Sequence, residues 1–252
     1  MSNRGTAYSG LGDRRLAEKD YDAAIKLDGR FLEAYVNRAM TRRERGELKK
    51  ALQDCEAALR VDSTYARAYI ERAQVHLRSD RIKDALRDCE TAIYWNRRTP
   101  EAFSVRGGIR YERGDYAGAL ADFDQAVALG ASPHTLSARA WLRASCPEAT
   151  LRNADDPIAD AKRACELRHW RQEHPLQTLA MGYAEKADFE AAVKHQRQAL
   201  ELIRDAERRQ RARKRLALYE RRKPFRDIPP NDPQPEAAPP QQFRFPNGRS
   251  SS

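Results

Sequence analysis

Several kinds of chemistry are excluded by what this chain lacks. Its four cysteines, Cys55, Cys89, Cys146 and Cys165, form no CxxC pair and no Cys/His metal spacing. That argues against a disulfide scaffold or zinc fold and for reduced thiols in the cytoplasm. No apolar run approaches the ~20 residues of a membrane span, and the N-terminus carries no signal-peptide core. There is no phosphate loop or dinucleotide fingerprint, and no Ser or Thr stands at a recognisable spacing from a base. The histidines, His76, His134, His169, His174 and His195, are scattered. His169 and His174 flank Trp170, but nothing nearby supplies a third ligand. We therefore expect no catalytic residue, no cofactor and no metal.

Apolar residues are also sparse for a single thick core, at 40% against 33% charged. Such a composition suits a thin, repetitive fold with a large surface. The formal charge of +10 is concentrated. Between Arg204 and Arg226 eleven Lys/Arg face only Asp205, Glu207 and Glu220, a net of +8. The rest of the chain is nearly balanced.

What the sequence does contain is a period. Ala17, Ala51, Ala85 and Ala119 lie 34 residues apart, as do Ala24, Ala58, Ala92 and Ala126. Gly5, Ala39, Ala73 and Gly107 form a third series, and Tyr21, Cys55, Cys89 and Phe123 a fourth. Gly12, Gly46 and Gly114 repeat a turn position that Asp80 fills once. On both sides of that turn apolar residues follow helical spacing, so each unit reads as two short amphipathic helices joined by a tight turn. One hairpin cannot bury its apolar face alone, so the units must stack.

This pattern resembles the tetratricopeptide repeat family. Unit two carries Tyr35, Ala39, Gly46, Ala51 and Ala58 at the motif positions; unit three carries Tyr69, Ala73, Ala85 and Ala92; unit four carries Phe103, Gly107, Gly114, Ala119, Phe123 and Ala126. The family's leucine is arginine in these units, and its closing proline is Ser63, Arg97 and Ala131. The first unit lacks its opening aromatic, because Met1 falls there. The resemblance covers residues 1–202 and implies an all-α, right-handed superhelical solenoid of antiparallel helix hairpins.

Beyond Pro133 the register loosens. A helix over 136–146 is followed by a long connection, and Asp156-Pro157 signals the next helix start. Leu176, Leu179, Ala180 and Tyr183, then Ala192, Gln196, Ala199 and Leu202, mark a last pair around the turn AEKAD. We expect about six hairpins, the fifth elongated, and an arginine-rich capping helix over 203–223, together a solenoid over 1–223. Pro224 stops that helix. The proline-rich tail 224–252 is expected to be disordered.

Four Arg–Asp pairs recur with the period: Arg4 and Asp20, Arg38 and Asp54, Arg72 and Asp88, Arg106 and Asp122. In each of the first, second and fourth units both residues stand eight positions from the turn glycine. The spacing predicts a charge-assisted bond inside each hairpin, a structural brace rather than a catalytic pair. Cys55 and Cys89 fall on buried helix faces and read as small hydrophobes.

Recognition is the remaining role. By resemblance, the first helix of each repeat lines a concave groove for a peptide or a partner helix. The candidates are Val36, Asn37, Met40, Arg67, Ile70, Glu71, Gln74, Ser104 and Tyr111. Chaperone-binding relatives clamp a terminal carboxylate with Lys, Asn and Arg at places held here by Ser2, Thr6, Asn37, Arg67 and Glu71. Only Asn37 and Arg67 fit and Glu71 repels a carboxylate, so a chaperone tail is disfavoured. The rival site is the basic segment 204–226, where Arg208, Arg211, Lys214 and Arg215 are candidate contacts to phosphates or an acidic partner. Self-association is a further alternative on the same surface.

Overall fold

The computed structural model describes residues 2–130, 132–153 and 155–226. The tail expected from residue 224 lies outside the described residues beyond Arg226, as do Met1 and Ala131. Among the described residues there are thirteen α-helices, one 3-10 turn and no strand, an all-α repeat solenoid. The contacts divide the chain into two compact units, one ending at Arg106 and the other beginning at Gly107.

The first unit holds three hairpins: α1 (Ser2–Gly10) with α2 (Arg14–Leu27), α3 (Leu32–Glu44) with α4 (Leu48–Val61), and α5 (Ala66–Arg78) with α6 (Ile82–Trp95). The opening half of α7 (Pro100–Glu112) follows them. The second unit contains the rest of α7, then α8 (Tyr116–Gly130), α9 (Pro133–Ser145), α10 (Asp155–Leu167), α11 (Glu173–Glu185), α12 (Phe189–Leu202) and α13 (Ala206–Glu220).

The same turn closes the hairpins. The residue after the turn donates its N–H to a carbonyl five positions back: Asp13 to Tyr8, Glu47 to Arg42, Arg81 to His76, Asp115 to Arg110 and Asp188 to Tyr183, at 2.8–2.9 Å. This is the helix-ending geometry that needs one left-handed residue. Gly12, Gly46 and Gly114 supply it with φ of 85°, 81° and 80°, whereas Asp80 and Ala187 adopt it at 58° and 62° despite their side chains. Asp13 and Asp188 then cap the following helices, accepting from Leu16 N and Ala191 N at 3.1 Å.

Facing positions in each hairpin trade size. Gly5 sits against Tyr21 and Gly107 against Phe123, and a Cβ on either glycine would come within 2.8 and 2.9 Å of the ring. Where the small residue is Ala39 or Ala73, the large one shrinks to Cys55 or Cys89. All four large members are essentially without exposure. Burial among apolar neighbours pushes the Cys55 thiol well up, and Cys165 up to about 12. Both stay protonated and unreactive.

In the fifth hairpin, α9 with α10, Ser132 caps α9 and Pro133 takes its first turn. Its connection is held by Arg152, whose Nη1 donates to the carbonyls of Cys146 and Pro147 at 2.7 and 3.1 Å. The arginine-rich helix starts at Ala206 rather than at the expected residue 203. Asp205 Oδ1 accepts from Arg208 N at 2.8 Å and fixes a fresh N-terminus there. It ends at Glu220 rather than 223, because Arg222 turns left-handed with φ 56°.

Candidate partner-binding surface

The repeated arginines act within and between hairpins. Arg4 Nε and Nη2 donate to the Asp20 carboxylate at 2.7 and 2.6 Å, Arg38 to Asp54 at 3.1 and 2.6 Å, and Arg72 to Asp88 at 2.8 and 2.7 Å. The aspartates are buried, and the Arg4 guanidinium lowers the Asp20 carboxyl below its ordinary range. Arg38 and Arg72 also lie over the rings of Tyr35 and Tyr69, three residues earlier, at 5.7 and 5.2 Å. Arg106 lies over Phe103 in the same way at 5.5 Å and closes the first unit. In the second unit Asp122 accepts from Arg110 Nη1 at 2.9 Å.

One member of this series escaped the sequence reading. Arg139 grips Asp160 through Nε and Nη2, both at 2.7 Å, and reaches back to Asp124 at 2.8 Å. Arg38 reaches back to Asp22 in the same manner, at 2.6 Å. The fifth hairpin therefore keeps the brace although its partners are 21 residues apart rather than 16. The five extra residues hid it from a search at fixed period. In the sixth hairpin Leu179 and His195 occupy these two registers, counted from Ala180 and Gln196. That hairpin forms without the ion pair. A buried ion pair is weak evidence for stability.

The groove candidates separate by burial. Val36 packs with Ala58 and Ala68, and Ile70 with Ala66, Ala92 and Ala102, so both belong to interhelical packing. Glu71 is also buried, because Arg43 Nε holds its carboxylate at 2.6 Å and Arg43 Nη2 lies 3.4 Å away. Burial nevertheless raises the Glu71 pKa against that pull. Its charge is matched by Arg43, so it opposes an incoming carboxylate less than the sequence suggested. Ser104 is buried, and Tyr111 is buried edge-on to Tyr116 at 5.4 Å.

Asn37, Met40 and Gln74 remain half-buried and Arg67 exposed. Arg67 Nη2 lies 3.5 Å from Asn37 Oδ1, the long limit of a hydrogen bond. The two come from the first helices of consecutive hairpins. Among the described residues no group of His, Cys, Asp and Glu is placed to hold a metal, and no helix is long and apolar enough to cross a membrane.

Three of the four candidates in the basic segment are engaged, while Arg204, Arg209, Arg213, Arg221 and Lys223 around them are exposed. Arg208 pairs with Glu173 and Arg211 with Glu207. Arg215 is buried: its guanidinium bonds Gln177 and lies over the rings of Trp141 and Phe225 at 5.6 and 5.5 Å. It cannot face a phosphate, because two aromatic rings cover it. Lys214 stays exposed.

Residues 1–31 and 32–65 each match the family model described as Tetratricopeptide repeat. Two tetratricopeptide repeats thus occupy residues 1–65. No curated protein matches it in sequence. Among solved structures, it is similar to the Cut9–Hcn1 hetero-tetramer of APC/C, with TM-score 0.72 and 16% identity over 84% of this chain and 41% of that one. It is similar to yeast Tom70, with TM-score 0.61 and 20% identity over 81% and 43%. YrrB, a tetratricopeptide-repeat protein with an unusual peptide-binding site, gives TM-score 0.53 and 21% identity over 77% and 97%. The chain thus spans about two-fifths of the first two, and at these identities the likeness is one of fold. The tetratricopeptide fold is a scaffold for protein–protein interaction, which is the class of role it supports here.

Proposed function

We propose that the chain is a non-enzymatic interaction module whose first unit binds a segment of a partner protein, an extended peptide or a helix, across α3 and α5. The observation that carries this reading is the Asn37–Arg67 contact at 3.5 Å. It bridges two consecutive repeats, it is too long to satisfy either group fully, and Arg67 is exposed. Met40 and Gln74 stand on the same two helices, each directly after the buried alanine of its hairpin. The surface then offers a guanidinium, two amides and one thioether, a set suited to peptide carbonyls and an acidic side chain. In YrrB a fold of this kind carries a peptide-binding site, in line with this reading.

The test is to pan a displayed peptide library on the full chain and on the Asn37→Ala/Arg67→Ala/Gln74→Ala variant. Circular dichroism shows whether both are folded. Peptides selected by the parent should bind the variant at least tenfold more weakly. Equal binding by the two proteins removes the assignment.

A further inference from the structure

In the second unit, Trp141 follows the buried Ala140 and Met181 follows the buried Ala180, as Met40 follows Ala39 and Gln74 follows Ala73. These residues therefore share one register on successive first helices. Met40 and Gln74 are half-open, whereas Trp141 and Met181 are 7% and 2% exposed. Trp141 is covered by His174, stacked on it at 5.8 Å, and by the segment that follows α13. After α13, Arg222 and Lys223 donate backbone N–H groups to Tyr219 and Leu218 at 2.9 Å, and the left-handed Arg222 reverses the path. Pro224, which has no N–H, delivers Phe225 against the Trp141 ring, with centroids 6.1 Å apart at 66°. Arg215 lies over both rings. Arg226 Nη1 then stands 2.6 Å from Glu185 Oε2, on the same α11 that carries Met181.

We propose that this inner face of the second unit is a peptide site of its own, filled here by Phe225-Arg226, and that its external ligand is a partner segment in which an aromatic residue is followed by arginine. The recognition chemistry is on the page. The indole meets the Phe225 ring edge-on and the Arg215 guanidinium lies over both rings, while Glu185, whose Oε1 also accepts from Arg152 Nε at 3.2 Å, takes the arginine through Oε2. The occupant is held by one ring, buried in the cluster of Trp141, Met181 and Tyr219, and by one ion pair. The surrounding α13 is itself basic, which disfavours a ligand with a run of cations and selects one with a single arginine, as in Lys223-Pro224-Phe225-Arg226-Asp227. This site is separate from the first-unit groove, and neither depends on the other.

The experiment uses a fluorescein-labelled peptide of residues 223–227 added to the full chain and to its Phe225→Ala/Arg226→Ala variant, with binding read by anisotropy. A tethered segment competes at an effective concentration on the order of millimolar, so the variant should bind the peptide at least tenfold more tightly than the parent. Replacing the peptide's phenylalanine or its arginine by alanine should abolish that binding. A folded variant that does not bind the peptide, or binds it as well with the phenylalanine replaced, overturns the proposal. Should the double variant lose its helical circular dichroism, Arg226→Ala alone, which leaves the buried ring in place, decides the matter. It should bind the peptide several-fold more tightly than the parent, and no difference overturns the proposal equally.

Discussion

His76 Nε2 stands 3.6 Å from Asp88 Oδ2, at the register where Arg42 and Arg110 reach Asp54 and Asp122 at 2.9 Å. The third hairpin thus has a histidine where its neighbours have a second arginine. Burial pushes the His76 pKa below its ordinary 6.5, Asp88 and Asp84 pull it up, and Arg81 and Arg72 lower it further. The net shift is downward. The unfolded chain therefore takes up a proton first as pH falls below about 6.5, and stability is lost from there downward. A cavity of about 210 Å³ lies beside His76, bordered also by Glu56, Arg81 and Arg87, which leaves room for a longer side chain. We expect His76→Arg to raise stability by roughly 0.5–1 kcal/mol at pH 7. The gap over the parent should widen at pH 5.5, as read by thermal unfolding at the two pH values. An unchanged gap would show that His76 does not titrate on unfolding.

The glycine–aromatic contacts make a second prediction. A Cβ on Gly107 falls 2.9 Å from Phe123 Cε1, so Gly107→Ala overpacks the hairpin and should cost about 1–3 kcal/mol. Phe123→Cys empties the same space and should cost about 3 kcal/mol. Combined, they recreate the Ala73–Cys89 pairing of the third hairpin. The double variant should be more stable than the sum of the single effects predicts, by at least ~1 kcal/mol. Strict additivity in denaturant titrations would mean that the two positions do not share one volume.

Turn chemistry gives a third. Ala187 pays for a left-handed backbone that glycine adopts freely in the turns at 12, 46 and 114. Ala187→Gly should stabilise the sixth hairpin by about 0.5–1 kcal/mol, the steric relief being larger than glycine's added freedom in the unfolded chain. Asp80→Gly should gain less, because aspartate tolerates this conformation better than alanine. Melting temperatures in the reverse order would contradict the argument.

The period was legible because it is written in residue types with a narrow steric role: small residues at helix contacts and, in three of the turns, glycine at the left-handed position. The Arg38–Asp54 distance could be anticipated by counting from Gly46, since residues equidistant from a tight turn face each other. Three things were not legible. Arg139 and Asp160 were masked by the five-residue insertion between them. The break at Ile203–Asp205 lay inside an unbroken helical pattern, and only the cap formed by Asp205 ends it. The candidate groove was overestimated, because spacing tells which side of a helix a residue is on but not how closely the next helix lies. Val36 and Ile70 are on the expected helices and are covered by the following hairpin's packing. Arg215 is the sharpest case: composition marks it as a surface cation, yet it is 7% exposed between two rings.

The fifth brace can be set against the sixth hairpin, which has none. Arg139→Leu leaves the buried Asp160 without its bidentate partner and should destabilise the protein by about 3 kcal/mol, since an uncompensated buried carboxylate is the costly outcome. Arg139→Leu combined with Asp160→Ala removes the charge as well. By the same reasoning the double variant should recover more than half of the loss, as the Leu179-containing hairpin suggests by folding without such a pair. Urea unfolding of the parent, both single variants and the double variant measures the coupling directly. A double variant no more stable than Arg139→Leu would mean that Arg139 acts chiefly through Asp124, the aspartate of the preceding hairpin, and not through Asp160.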